Sequence, residues 1–338
     1  MRKLPLALAA AVPLALLAAC GSTGTGATAS GAPEKAGQVV VRIADPGNDG
    51  YLAVAKKDGS LDAALAKVNA KVRWAGDFPV FAPAAQAINA GSLDVAQGSI
   101  TSGITALAVK PSFKIFAVTP PDEAGEGIVV KNSSPIKTVA DLAGHTVAVG
   151  KGGTSEYLLL KALQTYGVPL DKVKRVYLAP VDTAPVFGSG KVDAWATFST
   201  FLAPAVATLD GRVLADGADI KSDNYAIWVA SNTLIEKHPE VVKALYDFFH
   251  EGSAKEIADP KAYQNVFTSA GPQAVAGRLQ DLLIDIRRQG KPVQAVTEAD
   301  LARFRDVAAF YLDQKVLTAP LDVAQYVVDV TTLPGGGA

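Results

Sequence analysis

The chain has 338 residues and a formal net charge of −1, room for two domains of ordinary size. No basic stripe is present, so the electrostatic footprint of a nucleic-acid partner is excluded. A single cysteine excludes an internal disulfide and a cysteine-rich metal site.

The N-terminal residues read as an address. Arg2 and Lys3 are a positive start, and Leu4 to Ala18 is a short apolar run broken by Pro5 and Pro13, too short to span a bilayer. Leu17-Ala18-Ala19-Cys20-Gly21 resembles the lipobox of bacterial lipoproteins, in which the cysteine becomes the lipidated first residue. Residues 1–20 are therefore expected to be a leader with Cys20 as the lipidation site. Gly-, Ser- and Thr-rich residues 21–37 read as a flexible tether. The expected location is the extracytoplasmic face of a bacterial cell membrane.

Strands and helices then alternate. Val39 to Ala44 predicts a strand, Asp45 to Gly50 a turn, and Tyr51 to Val68 a helix with a break at Gly59. Lys71 to Ala75 is a strand, Gly76 to Pro83 a loop, and Ala84 to Ala90 a helix ended by Gly91. Leu93 to Ala96 and Lys114 to Thr119 are strands, with a polar loop at Gly98 to Ser102 and a helix between them. After Pro120-Pro121 the order repeats. Thr146 to Val149 is a strand, Gly150 to Gly153 a glycine turn, and a helix follows to about Tyr166. Lys174 to Leu178 and Val192 to Ala196 are strands, with Thr197 to Thr200 as a loop. Gly91-Ser92-Leu93-Asp94-Val95-Ala96 echoes Gly190-Lys191-Val192-Asp193-Ala194-Trp195, an offset of roughly 100 residues that fits two similar lobes and not a solenoid. Strand-like segments at Ile128 to Val130 and Tyr225 to Ala230 would carry the chain between lobes as a hinge. Helices at Pro239 to Ala254 and from Thr297 through Leu312 complete it. The expected organisation is lobe 1 from 38–120 plus 226–338, and lobe 2 from 121–225.

Catalytic chemistry is sparse. His145, His238 and His250 lack the spacing of a metal site, and no nucleophile signature appears. Asp94 and Asp193 occupy matching positions and are read as groups that bond the local backbone. The expectation is a binding protein, not an enzyme, with no cofactor and no metal. Open α/β sheets bind ligands beyond the carboxyl ends of their strands. In lobe 1 those ends offer Asn48, Asp49, Tyr51, Phe78, Ser99, Thr101 and Ser102. In lobe 2 they offer Gly152, Gly153, Thr154, Ser155, Glu156, Asp182, Trp195, Thr197 and Phe198. The glycine turn and the helix start after it can hold an anion on backbone N–H groups.

Several segments together resemble the substrate-binding lipoproteins of ABC importers, in the aliphatic sulfonate/taurine/nitrate branch. They are Phe78-Pro79 with Ala87 to Asp94, Ser133 to Gly144, Val147 to Leu160, Tyr177 to Asp182 and Val192 to Ala196. The resemblance implies an α/β, bilobal periplasmic-binding-protein fold of type II, closing on a small molecule. It also implies a monomer that delivers its ligand to membrane permease subunits. Two departures fall at expected ligand positions: Gly153-Thr154-Ser155-Glu156 after Lys151-Gly152, and Thr197-Phe198-Ser199 after Trp195. A small organic anion or zwitterion, an aliphatic sulfonate, is the first expectation. A Glu156 carboxylate turned into the cleft would suit a ligand carrying a cation, such as a zwitterionic amino-sulfonate. The second reading is a receptor for an uncharged or cationic heterocycle such as a thiamine precursor, with Glu156 and Asp182 as acceptors between aromatic walls. An enzyme on the same fold is the third reading, opposed by the lipobox and the missing His/Cys chemistry.

Overall fold

The alternation of strand and helix folds into two five-stranded sheets. A computed structural model describes residues 37–121, 123–269 and 274–335. The predicted leader, Cys20 and nearly all of the tether lie outside the described residues. β1 (Val39–Ala44) leads through α1 (Tyr51–Asp58) and α2 (Ser60–Ala66) to β2 (Ala70–Ala75). α3 (Phe81–Asn89), β3 (Val95–Ser99), α4 (Ile100–Leu107) and β4 (Phe113–Thr119) follow. β5 (Glu126–Lys131) opens the second run. It continues with β6 (Thr146–Val149), α5 (Thr154–Thr165), β7 (Lys174–Tyr177), α6 (Pro180–Gly188), β8 (Ala194–Phe198), α7 (Ser199–Ala207) and β9 (Gly211–Asp216). α8 (Gly217–Ile220) and β10 (Ala226–Ser231) return the chain to the first sheet. α9 (Asn232–Lys237), α10 (Pro239–Ala258), α11 (Gly277–Gln289) and α12 (Glu298–Asp313) close the body.

The strand orders are β2-β1-β3-β10-β4 and β7-β6-β8-β5-β9. Each sheet contains one antiparallel strand that enters from the other run. β10 pairs antiparallel with β3 and β4, and β5 pairs antiparallel with β8 and β9. The two lobes are thus the same construction, with the crossing strand inserted at the same place. Buried β-branched and aromatic residues such as Val41, Ile43, Phe116 and Trp228 fill one side of the first sheet under α1, α2 and α10. Val129, Ala148 and Trp195 fill the matching side of the second under α6 and α7.

The structure refines several sequence boundaries. β3 and β8 run about two residues further than their apolar stretches, through Gly98-Ser99 and Thr197-Phe198. The cause is tertiary. Ser99 pairs with Ala226 and Thr197 with Gly127, so a crossing strand supplies the ladder that these polar residues do not advertise locally. β9 and α11 were not foreseen. At Gly59 the left-handed φ of 75° separates α1 from α2, as the predicted break requires.

The matching aspartates lock neighbouring strands in each lobe, β1 to β3 and β6 to β8. Asp94 Oδ2 accepts the Arg42 backbone N–H at 2.9 Å and Nε at 2.7 Å, and Oδ1 accepts Nη2 at 2.7 Å. Asp193 Oδ2 accepts the Thr146 backbone N–H and hydroxyl, both at 2.7 Å. The two carboxylates stand one residue before β3 and β8 and bond across to β1 and β6. Asp94 is buried and carries a charged partner, whereas the Asp193 side chain is 41% exposed. Asp94→Ala should cost about 2–3 kcal/mol and Asp193→Ala about 1 kcal/mol or less. Urea denaturation of both variants measures this, and equal losses would contradict the assigned difference in burial.

Candidate functional site

Two strand-to-helix turns, one per lobe, meet face to face. In lobe 1, β3 ends at Ser99, which is the N-cap of α4. Its hydroxyl accepts the Ser102 N–H at 3.2 Å, and the Ser102 hydroxyl takes the Ser99 N–H at 3.3 Å. The Ile100 N–H goes to the Tyr225 carbonyl at 2.8 Å. The start of α4 is thus largely satisfied by the protein itself.

The start of α5 is built differently. Its N-cap is Gly153, which has no side chain and makes no capping bond. The first-turn amides of Thr154, Ser155 and Glu156 have no acceptor within their own helix. They carry the positive end of a 12-residue helix. Gly152 adopts a φ of 67°, a conformation open to glycine at little cost. That turn directs its carbonyls outward to lobe 1. Thr105 Oγ1 donates to the Gly152 carbonyl at 3.0 Å, and the Tyr311 hydroxyl donates to the Gly153 carbonyl at 3.1 Å.

Three hydroxyls join the turns. Ser99 Oγ lies 2.8 Å from Thr154 Oγ1, Thr101 Oγ1 lies 3.0 Å from Thr154 Oγ1, and Ser99 and Thr101 are 2.9 Å apart. Thr101 also donates to Asn224 Oδ1 at 2.9 Å, and Asn224 Nδ2 donates to the buried Glu126 carboxylate at 2.8 Å. Apolar contact seals the same junction. Tyr157 of α5 packs edge-on against Phe310 and Tyr311 of α12, at 5.4 and 6.0 Å between centroids.

Of the predicted residues, Ser99, Thr101, Ser102, Gly152, Gly153 and Thr154 are brought together here. Ser155 is buried in the first turn of α5. Glu156 is 3% exposed and is not free to meet a cation. Its carboxylate accepts the Gly152 N–H at 2.7 Å, Arg175 Nη1 at 2.7 Å and the Tyr177 hydroxyl at 2.6 Å. A surface depression lined by Leu170, Asp171, Val173, Arg175 and Tyr177 flanks that network along β7, apart from the hydroxyl cluster.

Other predicted residues are placed elsewhere. Trp195 is buried between Phe187 and Phe201, at 6.0 and 6.3 Å, as part of the lobe 2 core. Phe198 is half-buried with its edge toward Phe201. Thr197 is fully buried, and its hydroxyl has no hydrogen-bond partner among the described residues. Asp182 is exposed in the first turn of α6. Phe78 is half-buried over Gly76. Asn48 Oδ1 accepts the Phe267 and Thr268 amides at 2.8 and 3.3 Å, and Asp49 is exposed beside it. Tyr51 donates its backbone N–H to Glu256 Oε2 at 3.1 Å, and Arg287 pairs with Glu256 Oε1 at 2.8 Å. Thr105, Tyr311, Asn224, Glu126, Arg175 and Tyr177 were missed. Thr105 was findable, since it lies one helical turn beyond Thr101. The others come from distant segments and carry no local signal.

Two mixed α/β lobes with their strand ends meeting at one junction define the periplasmic-binding-protein fold. The crystal structure of the periplasmic aliphatic sulphonate binding protein SsuA from Escherichia coli superimposes with a TM-score of 0.75 and 26% identity, covering 88% of this chain and 94% of that one. A model of NMT1/THI5-like proteins matches residues 83–263, just over half of the chain. The chain belongs to the NMT1/THI5-like family. It is 28% identical over 293 residues to an aliphatic sulfonates-binding protein of Escherichia coli (strain K12), covering 84% of this chain and 90% of the relative. It is 30% identical over 177 residues to the taurine-binding periplasmic protein of the same organism, covering 50% of this chain and 53% of that relative.

The junction also fixes an alkaline limit. Burial holds the phenols of Tyr157, Tyr311 and, in lobe 1, Tyr51 above the ordinary tyrosine value of 10.0, and the neighbouring carboxylates Glu156 and Glu256 add to the shift at Tyr311 and Tyr51. The folded protein keeps protons that the unfolded chain releases near pH 10. Stability from this source is complete below that pH and falls as pH rises beyond it. Urea midpoints should therefore decline above about pH 10. Phenolate absorbance of the folded protein should stay short of the amplitude for all nine tyrosines. Full ionisation near pH 10 without unfolding would refute the burial of these phenols.

Proposed function

We propose that this protein is the extracytoplasmic solute-binding component of an ABC importer. It captures a small organic anion or zwitterion, an aliphatic sulfonate, between its lobes and presents it to permease subunits. The observation that carries this reading is the uncapped start of α5 facing the hydroxyls of Ser99 and Thr101 across the lobe junction. A sulfonate head offers three acceptor oxygens and one charge. Backbone N–H groups at a helix start and adjacent hydroxyls are donors matched to such a group. The names of the relatives support the ligand class. The engagement of Glu156 by Gly152, Arg175 and Tyr177 weighs against a heterocycle held by that carboxylate. Phe78 and Phe198, half-buried near strand ends of the two sheets, are proposed as apolar contacts for the organic part of the ligand. The protein acts as a monomer tethered through Cys20, and it binds its ligand without turnover.

Binding would replace hydroxyl contacts between the lobes with contacts through the ligand, so closure contributes to affinity along with direct contacts. Isothermal titration with ethanesulfonate, butanesulfonate and taurine should give saturable binding. A sulfonate at about 100 times its Kd should stabilise the fold by about 2.7 kcal/mol. Thr154→Val should weaken binding roughly tenfold, the loss of one donor to a charged group. A response to pyrimidine or thiazole compounds alone, or chemical conversion of the ligand, would overturn the proposal.

A further inference from the structure

Glu156 is a buried carboxylate in the helix that carries the anion seat, and its position matters for the charge of what binds there. It is the third residue of α5. Its side chain is 4% exposed, whereas its partner Arg175 is 28% exposed. It is one hydrogen bond from the glycine turn, through Gly152 N–H at 2.7 Å. Three donors converge on it: Gly152, Arg175 and the Tyr177 hydroxyl. Arg175 is partly exposed and so partly screened by solvent, and it offsets the buried negative charge incompletely. The helix end supplies only about half of one positive charge.

We propose that Glu156 sets the charge class of the ligand: it tunes the seat to a singly charged head group and disfavours a doubly charged one of the same shape. The inference rests on the anion seat proposed above. The physics is multiplicative. The Coulomb energy between Glu156 and a bound anion scales with the ligand's charge, so a dianion meets twice the repulsion of a monoanion. Arg175 and Tyr177 act as positioning residues. They hold the carboxylate against the glycine turn and away from the hydroxyl cluster.

Ethanesulfonate and sulfate separate the effect, because both present a tetrahedral sulfur–oxygen head and differ in charge. The full chain is titrated calorimetrically with each, as wild type, Glu156→Gln, Arg175→Met and Tyr177→Phe. Glu156→Gln keeps the side-chain volume and removes the charge. Its affinity for ethanesulfonate should rise roughly tenfold and for sulfate roughly a hundredfold, so the preference shifts roughly tenfold toward the dianion. Arg175→Met should shift the preference the other way, which keeps the test decisive where Glu156→Gln folds poorly. Tyr177→Phe removes a hydrogen bond without changing charge and should leave the preference unaltered. An unchanged preference in Glu156→Gln and Arg175→Met, with binding retained, would reduce Glu156 to a brace for the loop and overturn this inference alone. Failure of the wild-type protein to bind either anion would overturn the seat itself, and the inference with it.

Discussion

The peptide groups of the turn from Gly150 to Gly153 face two ways, and the junction depends on that division. The Gly152 and Gly153 carbonyls point to Thr105 and Tyr311 of the other lobe. The Gly152 N–H points back to Glu156 within the same helix. Gly152 has a left-handed φ, and a Cβ there would stand 3.4 Å from the Thr105 methyl. Any other residue would add backbone strain and crowd the contact that grips the turn. One glycine therefore allows the turn to bind the opposite lobe through its carbonyls while leaving the first-turn amides of α5 uncommitted.

The convergence of the turns follows from topology. Each sheet receives one antiparallel strand from the other run, so β5 and β10 are integral parts of sheets formed mostly by residues distant in sequence. Those same strands extend β3 and β8 beyond their apolar stretches and set where Ser99 and Phe198 stand. Asp94 and Asp193 tie the starts of β3 and β8 to the neighbouring β1 and β6. The lobe interior is thus tied at the strand starts by carboxylates, and the strand ends are free to carry polar turns. Polar turns and structural locking occupy opposite ends of the same sheets.

This division explains what could be read from the sequence. The alternation of β-branched runs with Ala- and Leu-rich helices was legible, as were the break at Gly59 and the helix after Thr297. The internal echo around Asp94 and Asp193 gave the two-lobe plan, because the aspartates act locally on neighbouring strands. Ser99, Thr101 and Thr154 were legible as polar residues at strand-to-helix turns. Trp195 was ambiguous for a physical reason. Alternation along β8 sends it to the face under α6 and α7, and a strand boundary two residues out of place conceals which face that is. Tyr311 and Arg175 could not be found. Each reaches the turn from a separate part of the chain, and a single sequence contains no record of that approach.

A comparison of α1 and α5 shows why one helix start keeps its first-turn amides open and the other does not. Both have a buried glutamate paired with an arginine: Glu256 with Arg287 at α1, and Glu156 with Arg175 at α5. Both start after a glycine without a side-chain cap. Glu256 comes from α10 and takes the first-turn amide of Tyr51, so it fills the position an anion would occupy. Burial raises its carboxyl above the ordinary range, with the Arg287 charge and the Tyr51 amide opposing the shift. Glu156 comes from α5 itself and folds back past the N-cap to Gly152, two residues before the helix begins. The first-turn amides are left without a capping side chain. The same pair of residue types closes one helix start and leaves the other uncapped. The difference is whether the carboxylate approaches from outside the helix or from its own first turn.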